Sequence, residues 1–251
     1  MPYRRGRPLV DSSFFFRAAA VLTFYIVWPI GQLVNLVMLS TSYENRRKLR
    51  GHRRAILVSN HTTFLDPVKI CGAMFPLRTW QTLLEKTVEA PFVGTLTRLL
   101  GGVPLPPGRP GLNRILETAD VLFRFRRFLH FYPEGECYLY NQEIREFKPG
   151  AFLIAAELNI PVIPLVTVFS EGHFRPRSFL GRCLPTEKLI CLDPVYPSVY
   201  TKKNEKGELD MDSVRDFAEK VRQLMQEEIN ARLGSRAFYR GRMERMKGIN
   251  G

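Results

Sequence analysis

Ala55-Ile56-Leu57-Val58-Ser59-Asn60-His61-Thr62-Thr63-Phe64-Leu65-Asp66-Pro67 decides how the rest of the chain is read. The first four residues form a short apolar run of the kind that makes a buried strand. That run delivers a histidine to its C-terminal end, and a carboxylate follows five positions later. A neutral imidazole can take a proton from an alcohol when its other ring nitrogen is held. A carboxylate on that nitrogen fixes the tautomer and stabilises the imidazolium that forms. His61 and Asp66 are therefore a candidate general base and its orienter. The same residues also fit an ordinary helix start, with Asp at the N-cap and Pro at the first helical position. The spacing alone leaves both readings open.

Outward from this stretch, strand and helix patterns alternate. A helix is expected from Pro67 to about Phe75, a second over residues 92–100 and a third over 110–127. In the third, Leu112, Ile115, Leu116, Ala119, Leu122 and Phe123 recur at helical spacing. Residues 128–132 read as a buried strand, 150–158 as a helix, 162–169 as another buried strand and 189–192 as a short one. An amphipathic helix is expected over 213–233, with Ser213 and Asp216 as its capping signal. Strands separated by helices predict an α/β fold with a mostly parallel central sheet flanked by helices. The active site is then expected outside the strand C-terminal ends, where His61 and Glu134 share one rim.

Four further blocks follow in a fixed order. They are Lys86 before Ala90-Pro91-Phe92-Val93-Gly94, then Phe131-Tyr132-Pro133-Glu134-Gly135, Phe147-Lys148-Pro149-Gly150-Ala151-Phe152, and Ile160-Pro161-Val162-Ile163-Pro164-Leu165. With Asn60-His61-x4-Asp66 they resemble the glycerolipid acyltransferase family of the 1-acylglycerol-3-phosphate acyltransferase type, over about residues 50–200. The resemblance implies a membrane-bound enzyme that moves a fatty acyl group from an acyl thioester, acyl-CoA or acyl-ACP, to the hydroxyl of a lysophospholipid acceptor. It implies no cofactor and no metal, since a thioester is already activated. It also implies that His61 and Asp66 carry the chemistry and that Glu134 and Gly135 belong to the acceptor pocket. Departures fall on the acceptor side. The family's usual Pro-Glu-Gly-Thr-Arg is here Pro133-Glu134-Gly135-Glu136-Cys137, and a second arginine of the pattern falls on Pro107. Lys86, Arg109 or Arg114 is the candidate replacement for gripping a phosphate. A lipid alcohol other than a phosphomonoester, or a noncatalytic lipid-binding or membrane-shaping role on the same fold, is the alternative.

The 251 residues carry 45% hydrophobic residues and a net charge of +13, with a pI near 9.9. That charge calls for an anionic partner. A nucleic acid is disfavoured because the basic residues flank an apolar segment rather than alternating with exposed aromatics. Cys71, Cys137, Cys183 and Cys191 are scattered and read as free thiols. His52 reads as solvated and His130 as a core or edge residue. His173 stands on a loop with Arg175 and Arg177.

The N-terminal stretch Phe14–Leu39 is apolar apart from Arg17, Gln32 and Asn35. It is too long for a signal peptide and long enough to span a membrane. Arg4, Arg5 and Arg7 precede it, and Arg46, Arg47, Lys48, Arg50, Arg53 and Arg54 follow it. Basic residues on both flanks conflict with a single span under the positive-inside rule. Pro29 in mid-segment favours a bent, re-entrant helix pair that dips into one leaflet and keeps both basic clusters on the same anionic face, with a single-pass anchor as the alternative. The expected organisation is a basic N-terminus and anchoring segment (1–42), a catalytic domain on the cytoplasmic face (43–210), and a C-terminal amphipathic helix with a basic tail (211–251).

Overall fold

A computed structural model describes residues 6–171 and 185–244, so that His173, Arg175, Arg177 and Cys183 lie outside the described residues. Its centre is a seven-stranded sheet: β1 (Ser42–Glu44), β2 (Ala55–Ser59), β3 (Trp80–Leu84), β4 (Gly102–Leu105), β5 (Phe128–Phe131), β6 (Val162–Ser170) and β7 (Thr186–Cys191). The spatial order is β1-β7-β6-β2-β5-β3-β4. Every pairing is parallel except β6 with β7. β2 is central, and all five of its residues are buried.

Alternation along β2 builds the layers. Ile56 and Val58 point into one apolar cluster, shared with Leu129 and Phe131 of β5 and Val162 and Val166 of β6. That face is covered by α5 (Gly108–Phe125), α6 (Gly150–Glu157) and α7 (Met211–Ala231), through residues such as Ile115, Phe152 and Phe217. Ala55 and Leu57 point to the opposite face, where Ile70, Ala73 and Met74 of α2 (Asp66–Met74) pack on Phe128 and Leu165. Two short helices, α3 (Glu85–Glu89) and α4 (Val93–Leu100), connect β3 to β4. The expected mostly parallel α/β sheet flanked by helices is what forms.

Four elements lacked a readable pattern. β1 is three polar or amphipathic residues. β3 buries Gln81 and Thr82 in its run, and β4 holds Gly102 and Pro104, which the sheet tolerates at its outer edge. α3 is barely more than one turn. α7 starts earlier than expected. Its N-cap is Asp210, whose carboxylate accepts the N–H groups of Asp212 and Ser213, and Ser213 is already helical.

The N-terminal segment is one continuous helix, α1 (Phe14–Leu39), with Pro29 inside it, and not a bent helix pair. Docking on both sides of Pro29 keeps one axis where the missing N–H would otherwise allow a break. Before it, Trp28 stacks on Phe75 at 4.0 Å between ring centroids. After it, Gly31 lies against Val68, and Gln32 Nε2 donates to the Val68 carbonyl at 2.8 Å. α1 lies against α2 and α4, and both of its flanks belong to the same body. Leu9 and Val10, ahead of it, are buried in the main core, and Arg114 donates to the Arg7 carbonyl. β1, behind it, pairs with β7.

Candidate active site at the strand C-terminal rim

β2 ends at Ser59, and the next residue continues the sheet by other means. The Asn60 side-chain amide accepts the Thr167 N–H at 2.9 Å and donates to the Thr167 carbonyl at 3.1 Å, which pins the exit of β2 to β6. His61 then leaves the sheet with its N–H donated to Glu134 Oε1 at 3.0 Å. Its ring Nδ1 lies 2.8 Å from Asp66 Oδ2, and its side chain is one-fifth exposed. The other ring nitrogen makes no hydrogen bond among the described residues. Tyr132 stacks on the imidazole at 3.9 Å between centroids and limits its rotation.

Asp66 is not an N-cap. α2 begins on it, with Leu65 before, and its carboxylate turns back over the preceding loop. Oδ2 accepts the N–H groups of Thr62 and Thr63, and Oδ1 accepts the hydroxyls of both threonines and the ammonium of Lys69. The carboxylate is completely buried. Burial on its own would raise its pKa, but the Lys69 charge and the His61 hydrogen bond outweigh it and hold Asp66 well below the usual carboxylate range. The pair is thus an oriented imidazole beside a carboxylate that stays ionised. Such a pair can remove a proton from a hydroxyl and return it to a leaving group.

Glu134 follows β5 and shares the rim, as the sequence led us to expect. Its two oxygens accept backbone N–H groups, Oε1 from His61 and Oε2 from Arg145 at 3.0 Å each, so it ties two loops together beneath the site. Burial pushes its pKa up to about 7, against the lowering effect of those two N–H donors. Gly135 has φ +73°, and a Cβ there would lie 2.4 Å from Lys148 Nζ. Glycine is needed at this turn because its backbone is left-handed, and the flexible Lys148 side chain crosses directly over it. The Lys148 N–H also donates to the Pro133 carbonyl, locking the Phe147–Gly150 block against the Pro133–Gly135 block. Sequence reading used Lys148 only as part of a motif. Nothing short of the fold shows that its amine lies over Gly135.

The other candidates fall along the rim. Lys86 is exposed in the first turn of α3, directly after β3, and Arg109 is exposed in the first turn of α5, after β4. With strands about 4.8 Å apart, the exits of β3 and β4 stand roughly 10 Å and 14 Å from that of β2. Lys86 is therefore the nearer cation. Arg114 turns away, its guanidinium donating to the Arg7 carbonyl. Pro107 is the N-cap position of α5, and Cys137 is buried with its thiol pKa raised by burial. Neither presents a charge. His130 is fully buried, bonded to Ser59 through Nε2, and its pKa is pushed down to about 3 by burial. Among the described residues, no three His, Cys, Asp or Glu side chains come together to hold a metal.

An apolar cavity of about 150 Å³ lies between α1 and the sheet, lined by Phe24, Trp28, Gly31, Val68, Cys71 and Leu83. Its floor includes Pro67, the residue after Asp66.

A buried carboxylate holding an imidazole on the rim of a mostly parallel sheet makes the chain an α/β protein with a His–Asp pair at the strand C-terminal ends. The chain belongs to the acyltransferase family, whose model matches residues 40–168. It is 28% identical over 178 residues to a 1-acyl-sn-glycerol-3-phosphate acyltransferase of Saccharomyces cerevisiae, covering 68% of this chain and 54% of that protein's length. It is 27% identical over 203 residues to the protein of the same description from Haemophilus influenzae, covering 79% and 78%. Among solved structures it is similar in fold to the 1-acyl-sn-glycerophosphate acyltransferase PlsC of Thermotoga maritima. The TM-score is 0.57 at 22% identity, and the match covers 84% of this chain and 81% of that one.

Proposed function

We propose that this protein transfers a fatty acyl group from an acyl thioester, acyl-CoA or acyl-ACP, to the free hydroxyl of a lysoglycerophospholipid, 1-acylglycerol-3-phosphate being the leading acceptor. The observation that carries this reading is the His61 Nδ1–Asp66 Oδ2 contact of 2.8 Å at the sheet rim. Membership of the acyltransferase family and the acceptor named for the relatives support it. His61 Nε2 takes the hydroxyl proton as the acceptor oxygen attacks the thioester carbonyl. The tetrahedral intermediate then collapses, the C–S bond breaks, and the imidazolium returns its proton to the thiolate. Products are the diacyl lipid and a free thiol, with no net change in protons. The apolar cavity beside Pro67 has room for one segment of an acyl chain.

The acceptor phosphate has no arginine at position 107 or 137 to meet it. Lys86 and Lys148 take that task in our reading. The Lys148 ammonium has no hydrogen bond or ion pair among the described residues, and it stands beside the Glu134–Gly135 turn. Membrane attachment is through α1, of which only 11% of the most apolar window is covered by the rest of the protein. Exposed Phe64 in the His61 loop, Leu84 at the end of β3, Phe92 at the N-cap of α4 and Leu96 within it add apolar surface around the rim. We place the domain on the cytoplasmic face, where both the thioester and an anionic leaflet are found.

The test is purified protein with a labelled acyl thioester and a panel of lysolipids differing in headgroup, following thiol release and diacyl product. Acceptor-dependent thiol release is expected, fastest with the phosphomonoester. Absence of transfer to every acceptor leaves the noncatalytic lipid-binding reading. Lys148→Met should raise KM for the phosphomonoester about tenfold or more, the worth of one charge-assisted contact, with a smaller change for a neutral headgroup. An unchanged headgroup preference removes Lys148 from the acceptor site.

A further inference from the structure

Behind Asp66 lies a second pair of charges that proton transfer does not itself use. Lys69, one helical turn along α2, is wholly buried, with Nζ 2.7 Å from Asp66 Oδ1 and 3.1 Å from Glu187 Oε2. Glu187 comes from β7, on the far side of the sheet in sequence, and is itself buried. Its other oxygen accepts the hydroxyl of Thr41, which follows α1. A buried lysine is costly unless its charge is matched, and here it stands between two carboxylates. The row His61–Asp66–Lys69–Glu187 therefore alternates in charge once the imidazole is protonated.

We propose that Lys69 and Glu187 are positioning residues that set the basicity of His61 through Asp66, Lys69 weakening and Glu187 restoring the negative field the imidazole sees. The geometry supports two separate effects. Lys69 holds Oδ1, so that the Oδ2 edge of the carboxylate faces the ring. Its charge also offsets that of Asp66 at short range, and Glu187, one contact further out, offsets that of Lys69. The lysine pKa is raised, burial opposing and the two carboxylates outweighing it, so the ammonium persists throughout the working range. This inference rests on the reading of His61 as the base.

Other groups face the imidazole. From β5 and the loop after it come His130, Tyr132, Glu134 and Cys137. Burial keeps His130 neutral above about pH 3, and it raises the Tyr132 and Cys137 groups far above neutrality. Only Glu134, pushed up to about 7, titrates near the range of interest. The experiment must therefore observe the His61 ring directly as well as the rate.

The two charges give opposite predictions. In the 251-residue chain, Glu187→Gln keeps the shape, with the amide oxygen accepting from Lys69 and the amide N–H donating to the Thr41 hydroxyl, but removes the outer negative charge, so protonation of His61 becomes harder. The midpoint of its ring titration by NMR, assigned with His61→Gln, should move to lower pH. Lys69→Met removes the positive charge, and the midpoint should move to higher pH, each by on the order of one unit. Because Lys69→Met strands two buried carboxylates, the double variant Lys69→Met with Glu187→Gln is the safer form, and it too should shift upward. The acid limb of kcat/KM should follow the ring in each variant, whereas KM for the thioester should change little. Shifts in the same direction for the Gln and Met variants, or no shift in a folded variant, overturn the proposal. The NMR titration needs no substrate, so a protein that transfers no acyl group would sink the proposed function while still reporting on this network.

Discussion

At the scale of single residues, the proposed site divides into groups that would meet substrate and groups that hold them. His61→Ala should reduce transfer by at least about 10²-fold while the fold persists, with a modest fall in thermal midpoint because the ring stacks on Tyr132 and bonds Asp66. Asp66→Asn should be nearly as damaging, since an amide cannot stabilise the imidazolium, and it should also lower stability because Lys69 loses a partner. Thiol release and a melting curve on each variant check both halves. Glu134 gives a pH signature. Its folded pKa of about 7 lies above the 4.5 of a free glutamate side chain, so the folded state binds the extra proton between those limits. Stability from this group is therefore highest below about pH 4.5, declines as pH rises to about 7, and is flat beyond, a loss on the order of 3 kcal/mol. Glu134→Gln should flatten that slope in urea titrations run from pH 5 to 8. It should also be less stable at pH 5, because one amide face would put an N–H against a backbone N–H. His61 and Asp66 were legible in the sequence because five residues of local chain bring them together. The work of Glu134 was not, since its partner N–H is 73 positions away. Lys69 did leave a trace, a lysine on the helix face that otherwise carries Ile70 and Ala73.

At the scale of elements, strands with unbroken apolar runs announced themselves and the others did not. β2, β5 and β6 are buried on both faces, so their composition is nearly all apolar, and helices α5 and α7 show a stripe because one side is wet. β3 and β4 are held by neighbours and carry polar or glycine and proline residues that alternation cannot interpret. The largest difference is α1. Pro29 suggested a break, and the continuous helix that forms is docked through contacts that composition cannot display. Gly31 is the closest of them. A Cβ there would meet Val68 Cγ1 at 2.6 Å, so the two helices approach over a bare backbone. Gly31→Val should lift α1 from α2, weaken the Gln32–Val68 hydrogen bond and cost about 1–3 kcal/mol. A lowered melting temperature together with faster proteolysis near residues 25–40 would show the helix loosened. An unchanged protease pattern would show that Val68 simply yields.

At the scale of the whole molecule, the sequence conveyed a catalytic α/β body with an apolar appendage but not how the appendage is attached. α1 is about 39 Å long at 1.5 Å per residue, long enough to cross a bilayer, yet the residues before it are buried in the core and those after it enter the sheet. Both ends belong to one folded body, which a spanning helix would have to tear apart. An in-plane helix is the geometry we expect. Replacing exposed Ile26, Ile30 and Leu33 with Ser should release the protein from anionic vesicles without changing its fold. Protease applied from one side of sealed vesicles should reach both residues 6–12 and the basic segment 46–54, and access to only one of them would restore a span. The docked helix has one more consequence if the proposed reaction holds. Enzyme and acceptor then meet by lateral diffusion, so velocity should follow the mole fraction of acceptor in the leaflet and stay constant when the vesicles are diluted in volume. The diacyl product is also left entirely in the monolayer that α1 occupies. Every turnover would widen an area mismatch between the two leaflets, and growth of the opposite leaflet would depend on a separate process that carries lipid across.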